Sequence, residues 1–317
     1  MKKLFVFSLI LMLFSCKEDK IVSRSVEVDS IPVKVVRFEQ LFYESNPSDL
    51  TRLKNEFPYF FPEGNEDTVW TNKLKDPLLR ELYKEVEHQY SDFSNIQKDI
   101  EQLVGRIKYY YPNYSTPKVI TLINEVDTEA KAVYADSLAL VSLDCYLGEK
   151  HRYYADFPEY QRIEFNENQI LPDLVESFSY GKISQLDKNL LGLMILYGKK
   201  LYLKDVLIPE YSDAAKIAYT EQQIAWCKEN ESEMWSYLIE NKLLYDNNQK
   251  NEFRFIQPAP FSRFYLEIDN ESPGRVGQWI GWQIVRSYME NNEVSLQDML
   301  KMNAKDIFEN SKYKPAK

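Results

Sequence analysis

The sequence has very few histidines and cysteines for its 317 residues. Its two histidines are His88 and His151, whereas a catalytic zinc site usually takes three ligands drawn from His, Glu, Asp or Cys. The sequence also lacks a Gly-rich phosphate loop, a Gly-x-Ser-x-Gly motif and a Cys-x-x-Cys pair. We therefore expect structural roles for both histidines and no cofactor.

Long runs of Lys and Arg are also missing, and the formal net charge is −10. Phosphate backbones are bound by clustered basic residues, so the charge pattern argues against a nucleic-acid partner. Beyond the N-terminal segment only Cys145 and Cys227 remain, and they predict either one disulfide or two buried free thiols. With no repeat or linker after residue 31, residues 31–317 are predicted to form a single domain.

The N-terminus is predicted to be an export signal. Residues 4–14 are apolar and follow two lysines, but a helix of this length reaches only about 17 Å, well short of a bilayer core of about 30 Å. Leu13-Phe14-Ser15-Cys16 resembles the bacterial lipobox. This predicts a signal peptide at residues 1–15, lipidation of Cys16 and a flexible tether over residues 16–30. The alternative is an ordinary signal peptide with an incidental cysteine.

The rest of the pattern indicates an α+β fold that is predominantly helical, with a small early sheet. Segments rich in branched apolar residues predict strands at 33–38, 117–126 and 137–148. Apolar spacing predicts helices at the following positions: 49–57, 67–76, 77–90, 93–111, 169–180, 187–207, 220–244, 275–291, 296–302 and 305–310.

The segment SPGRVGQWIGWQIVRSY at residues 272–288 holds three of the nine glycines. Pro273 suits a helix start, with Ser272 as its N-cap. Gly277 and Gly281 are four residues apart, so they share one helix face and allow another backbone to approach closely. We favour a tightly packed core helix over a helix that lines a ligand site.

The order of elements from residue 117 onward resembles a gluzincin-type zincin metallopeptidase. In that fold an edge strand lines the cleft, one helix carries His-Glu-x-x-His, and the next helix supplies a glutamate. The resemblance assigns 137–148 to the edge strand, LPDLVESFSYGK at residues 171–182 to the first helix, and LLGLMILYGKKLY at residues 190–202 to the second.

On this alignment the metal ligands of the zincin motif are lost. Val175 and Ser179 occupy the histidine positions, Glu176 is retained, and Tyr197 replaces the ligating glutamate. Arg275 is expected to border the same degenerate cleft. The resemblance implies a pseudoenzyme with no catalytic residue, no metal and no cofactor.

A second resemblance covers nearly the whole chain. The motifs that carry it, in order, are the lipobox, LDCYLGEKHRYY (residues 143–154), YGKKLYLKDVLIPE (197–210), YTEQQIAWCKENESEMWSYLIENKLLY (219–245) and SPGRVGQWIGWQIVRSYMENN (272–292). Together they resemble the gliding motility lipoprotein GldB family of Bacteroidetes. This resemblance implies a cell-envelope protein of the gliding machinery, which is linked to type IX secretion.

The expected function is therefore that of a non-enzymatic lipoprotein that binds a protein partner. The expected location is the cell envelope, with the outer membrane favoured because no Asp follows Cys16. Two alternatives remain at this stage. They are a zinc peptidase with unconventional ligands and a surface lipoprotein that binds glycans through its aromatic residues.

The lipid anchor can be tested by replacing its cysteine. Cys16→Ala is expected to abolish labelling by a fatty-acid analogue and to change the membrane fractionation, because no other cysteine follows the export segment directly. Cys227→Ala is the matched control and should keep the label. Persistent acyl labelling of the Cys16→Ala protein would contradict the anchor.

Overall fold

The computed structural model describes residues 26–184, 187–267 and 269–316. The signal peptide, Cys16 and the tether up to residue 25 lie outside the described residues. Among the described residues, Val28 and Asp29 lie against Gly105. Within the described residues, no helix combines the length and the apolar character needed to cross a membrane.

The described residues contain one small mixed sheet. Its strands are β1 (Lys34–Arg37), β2 (Lys118–Leu122), β3 (Ala132–Ala135) and β4 (Leu138–Ser142), in the order β1-β2-β4-β3. Strands β1, β2 and β4 are parallel to one another, and β3 runs antiparallel to β4. The assignment of residues 137–148 to an edge strand is therefore wrong. Strand β4 pairs with β2 on one side and with β3 on the other, and β3 lies at that edge of the sheet.

Helices surround the sheet, which confirms the predominantly helical α+β class. The N-terminal helices are α1 (Phe38–Tyr43), α2 (Leu50–Glu56), α3 (Asp67–Lys75), α4 (Pro77–Gln89) and α5 (Ser94–Tyr110). The start of α4 is fixed by Asp76, whose carboxylate accepts hydrogen bonds from the amides of Leu78 and Leu79, with Pro77 as the first helical residue. The predicted apolar stripe of α5 is buried.

The C-terminal part is helical throughout. Its helices are α6 (Glu159–Arg162), α7 (Ile170–Ser179), α8 (Leu190–Leu207), α9 (Asp213–Ile217), α10 (Glu221–Glu229), α11 (Glu231–Glu240), α12 (Gln249–Phe255), α13 (Val276–Asn291), α14 (Leu296–Lys301) and α15 (Ala304–Asn310). The single helix predicted over 220–244 is wrong, because the backbone leaves helical geometry at Asn230 and two helices result.

The sheet separates two hydrophobic clusters because successive strand residues point to opposite faces. Val119 packs in the larger cluster with the C-terminal helices and α5. Ile120 packs in the smaller cluster, which is rich in aromatic side chains from α1 and from the segment that follows α2, including Phe57 and Phe61. On the edge strand, the amide of Tyr134 donates to the hydroxyl of Ser177 on α7 at 2.9 Å, so α7 covers this edge.

The glycines of the 272–288 segment mark where backbones meet. A Cβ atom at Gly281 would lie 1.9 Å from the carbonyl oxygen of Met194, and one at Gly198 would lie 2.3 Å from the carbonyl oxygen of Gly281. The close approach predicted from the glycine spacing is therefore confirmed at Gly281, between α8 and α13, but the two glycines do not share one neighbouring backbone. Gly277 faces α12 instead, next to Phe255.

The predicted start of α13 is wrong. The residue that precedes the helix is Arg275, in the left-handed conformation with φ of 63°. Ser272 does not cap the helix, because its hydroxyl donates to the carbonyl oxygen of Asp269 at 2.7 Å and accepts from the amide of Ser262 at 3.1 Å. The serine thus closes the preceding turn.

Both remaining cysteines are buried and free. This outcome confirms the alternative of two buried thiols and shows that the disulfide alternative was wrong. Burial raises the pKa of the Cys145 and Cys227 thiols, so neither is a reactive thiolate near neutral pH.

The contact between α8 and α13 gives a stability prediction. Gly281→Ala should lower the free energy of unfolding by roughly 1–3 kcal/mol or more, because the added methyl group meets backbone atoms of Met194. Glu290→Ala, on the exposed face of the same helix, should change stability by less than about 0.5 kcal/mol. Equal melting temperatures for the two variants would contradict the close contact.

Candidate functional site

A polar cavity of about 290 Å³ lies among α7, α8, α9 and the start of α13. Its lining is dominated by charged and amide side chains rather than by apolar ones. The polar lining residues are Glu164, Gln169, Asp173, Glu176, Tyr197, Lys200, Lys204, Lys216, Gln257, Arg275 and Gln278.

Helical spacing explains how these side chains reach one place. On α8, Tyr197, Lys200 and Lys204 follow at intervals of three and four residues, which places them on one face. On α7, Asp173 and Glu176 are three residues apart and share a face in the same way. The two polar faces meet across the cavity, while the remaining faces of both helices are buried in the larger cluster.

Glu176 lies between two lysines. Its carboxylate accepts a hydrogen bond from Lys200 at 2.7 Å and lies 3.4 Å from the ammonium group of Lys204. Burial raises the pKa of Glu176, but the two positive charges outweigh burial and hold the pKa below its ordinary value. Glu176 is therefore a charged, weakly basic carboxylate at neutral pH.

A second chain of ion pairs joins other lining residues, including Asp173 of α7. Arg275 lies 3.3 Å from Glu164, and Lys131 connects Glu164 at 3.6 Å with Asp173 at 2.9 Å. The hydroxyl of Tyr146 also donates to Asp173 at 2.8 Å. These contacts fix the carboxylates of the wall in defined positions.

Behind the cavity, a buried network holds α9 against α8 and α13. Asp205 accepts hydrogen bonds from Lys216 at 3.0 Å, from the Trp282 indole at 2.8 Å and from Arg286 at 2.7 and 2.8 Å. Arg286 also binds Asp213 through both terminal nitrogens. Burial lowers the pKa of Arg286, but the two aspartates outweigh burial, so its pKa is raised. The network positions Lys216 at the cavity.

Three of the five residues predicted for the degenerate cleft line this cavity, namely Glu176, Tyr197 and Arg275. The other two do not. Val175 is fully buried in the larger cluster, and the buried hydroxyl of Ser179 donates to the carbonyl oxygen of Glu176 at 2.6 Å. The structure therefore places the two presumed histidine positions beside the cavity wall rather than on it.

The cavity residues do not fit a zinc ion. The carboxylate of Glu176 already faces two ammonium groups, which would repel a divalent cation, and burial raises the pKa of Tyr197 and keeps it neutral. Across the described residues, no three His, Cys, Asp or Glu side chains converge as a metal site would require. His151 lies 3.7 Å from Glu85 on α4 and is not among the lining residues.

The sequence patterns did not predict that most of the cationic and amide side chains of the cavity belong to a site. A usable signal was present in α8, which is apolar around most of its circumference and yet carries Lys199, Lys200, Lys204 and Asp205. Charged residues in such a helix are buried unless they lie on a narrow surface strip, and buried charges require partners. The distant partners could not be read from the local sequence.

Comparison with known proteins decides the family. The family model described as "Gliding motility protein GldB" matches residues 16–315. The chain belongs to the GldB family. No curated protein and no solved structure matches the chain.

Membership of the GldB family confirms the resemblance found in the sequence and gives the chain a coarse role. It is a lipoprotein of gliding motility, and its place is the cell envelope. The kinship with zincins remains a prediction.

The charge arrangement around Glu176 predicts that the protein holds no catalytic zinc. Metal analysis of the purified, dialysed mature protein should find well under one zinc per chain, because two lysines already pair with the carboxylate of Glu176. As a check on stray ligands, His88→Ala and His151→Ala should give the same low content. Stoichiometric zinc that survives dialysis and disappears in either variant would contradict this expectation.

Proposed function

We propose that the protein is a non-enzymatic scaffold of the gliding machinery and that its polar cavity binds a protein partner. In this proposal, lipidated Cys16 anchors the chain to the outer membrane, and the machinery served is the one linked to type IX secretion. The observation that carries the proposal is the pairing of Glu176 with Lys200 and Lys204 inside a cavity of a GldB family member.

The state of Glu176 supports binding over catalysis. A general base works best when its pKa lies near the operating pH, which usually requires a carboxyl pKa to be raised. The lysines shift the pKa of Glu176 in the opposite direction. A carboxylate locked between two ammonium groups is instead suited to organising donors around a polar ligand.

The ion pairs also favour a preorganised binding site. The paired residues come from different parts of the chain. Glu164 precedes α7, Lys131 precedes β3 and Arg275 precedes α13, so their ion pairs connect three elements. A ligand that enters such a site meets groups whose side-chain entropy is already restricted, which lowers the cost of binding.

The glycan alternative receives no such support from the cavity. Sugar-binding sites commonly offer flat aromatic faces to the apolar side of a sugar ring. Among the described residues that line the cavity, Tyr197 is the single aromatic side chain, and Lys200 lies 4.8 Å from its ring centroid. The cavity is thus better suited to charged and amide groups.

The proposal can be tested in a gliding species that carries this chain. Deletion should abolish or strongly impair spreading, and the wild-type copy should restore it. A copy with Lys200→Gln and Arg275→Gln should be produced at normal abundance but restore spreading poorly, because both changes remove cavity charges. Lys98→Gln, an exposed change on α5, is the control and should restore spreading fully.

Two outcomes would contradict different parts of the proposal. Normal spreading of the deletion strain would remove the gliding role from this chain. Normal spreading of the double variant, at normal abundance, would show that the cavity is not the site of partner binding.

A further inference from the structure

The cavity contains more hydrogen-bond donors than the surrounding residues satisfy. An ammonium group has three N–H donors and a guanidinium group has five. Lys200 donates to Glu176, and Arg275 donates to Glu164 and to the carbonyl oxygen of Ala218. Each side chain therefore keeps N–H groups for which the described residues supply no acceptor. An acceptor-rich ligand would complete them.

The same groups are largely withdrawn from water. The exposed fractions of the Lys200 and Arg275 side chains are both 14%, and that of Lys204 is 9%. Poorly hydrated cations are costly unless an anion faces them. Each lining cation already faces one carboxylate of the protein. Because little water reaches these cations, their attraction for a further anion in the cavity is weakly screened.

The charge of the lining sets the charge of the ligand. Four cations line the cavity, Lys200, Lys204, Lys216 and Arg275, against the three carboxylates Glu164, Asp173 and Glu176. The ion-pair partners behind the lining are Lys131 and Arg286 against Asp205 and Asp213, so counting them leaves the same excess of one positive charge, in a chain of net charge −10. One negative charge balances this excess, whereas a dianion such as phosphate would leave the cavity negative.

The amide side chains indicate that the anion belongs to a peptide. Gln257 and Gln278 line the cavity together with Gln169, and primary amides can pair with both the N–H and the C=O groups of a peptide backbone. A volume of about 290 Å³ lies at the lower end of ligand pockets, which span about 300–1,000 Å³. There is room for a small group and a short backbone segment.

We propose that the cavity binds a peptide carboxylate, with Lys200, Lys204 and Arg275 as the recognising groups. This inference rests on the proposed function, because it names the chemistry that the protein partner would present. The carboxylate is that of a chain terminus or of an acidic side chain. A neutral group can accept hydrogen bonds from these donors but does not balance the excess positive charge, and a cation would add to that charge.

The inference is tested by measuring the binding of four probes to the mature full-length protein in detergent. Binding is measured by calorimetry and by the shift in melting temperature. The probes are acetyl-trialanine as the free acid, the same peptide as its amide, acetyl-Ala-Asp-Ala amide and inorganic phosphate. The free acid or the aspartate peptide should bind at least about tenfold more tightly than the neutral amide, because hydrogen bonds to charged groups contribute about 1.5–3 kcal/mol. Preference between the two acidic probes distinguishes a chain terminus from a side chain.

Variants connect the binding to the named residues. Lys200→Gln and, separately, Arg275→Gln should weaken binding of the acidic peptide about tenfold or more. Lys98→Gln should leave it unchanged. Because Lys200 pairs with Glu176, the melting temperature of each variant is measured first, and Arg275→Gln tests the same idea away from that ion pair.

The inference would be overturned if neither the free acid nor the aspartate peptide bound more tightly than the neutral amide, or if phosphate alone bound. Acidic-peptide binding that both cavity variants retain would overturn it as well. If the peptides fail to bind but the double variant fails to glide, the carboxylate inference is overturned and the proposed function stands. If the peptides bind but the double variant glides normally, the proposed role of the cavity in gliding is overturned.

Discussion

The backbone contact between α8 and α13 is the constraint on which the site depends. Gly198 and Gly281 bring the two helices so close that a Cβ atom at either position would meet main-chain atoms. This approach lets Trp282 and Arg286 reach Asp205 across the helix interface. The glycines reduce helix propensity by about 1 kcal/mol each relative to alanine, and the packing they permit outweighs that cost.

The charges at this interface extend the constraint to the cavity. Asp205 binds Lys216 of α9 as well as Arg286 of α13, so one carboxylate ties two elements to α8. Removing one partner of a buried ion pair typically costs about 3–5 kcal/mol, because the other charge remains buried without compensation. A conformation in which α8 and α13 separate would break the Asp205–Arg286 pair and would therefore carry this free-energy cost. Lys200 and Lys204 lie on α8, so the packing that fixes α8 against α13 also fixes this wall of the cavity.

Local patterns in the sequence were sufficient for much of the fold and for little of the site. Apolar periodicity predicts α5 and α8, and the spacing of Gly277 and Gly281 predicts a close backbone approach. Strand β3 was not predicted, because Val133 is its single branched apolar residue and alanines stand at both of its ends. The cavity depends on contacts between distant positions, since Arg275 and Glu164 are 111 residues apart, and no local signal specifies such a pair. Secondary structure follows from neighbours in sequence, whereas this site follows from tertiary packing.

Glu176 is the one residue retained from the His-Glu-x-x-His motif, and it lines the cavity, but the rest of α7 does not have the geometry that the motif requires. In a His-Glu-x-x-His helix the two histidines and the glutamate must reach one cleft. On α7, however, Asp173 and Glu176 face the cavity, while Val175 is packed in the core and Ser179 is bonded back to the helix. Each residue rotates about 100° around a helix axis, so a histidine at 175 would point well away from the cavity. We infer that restoring the motif residues alone would not create a zinc site, because α7 would also have to rotate. That rotation would separate Glu176 from Lys200 and Lys204, the ion pairs that support a binding role.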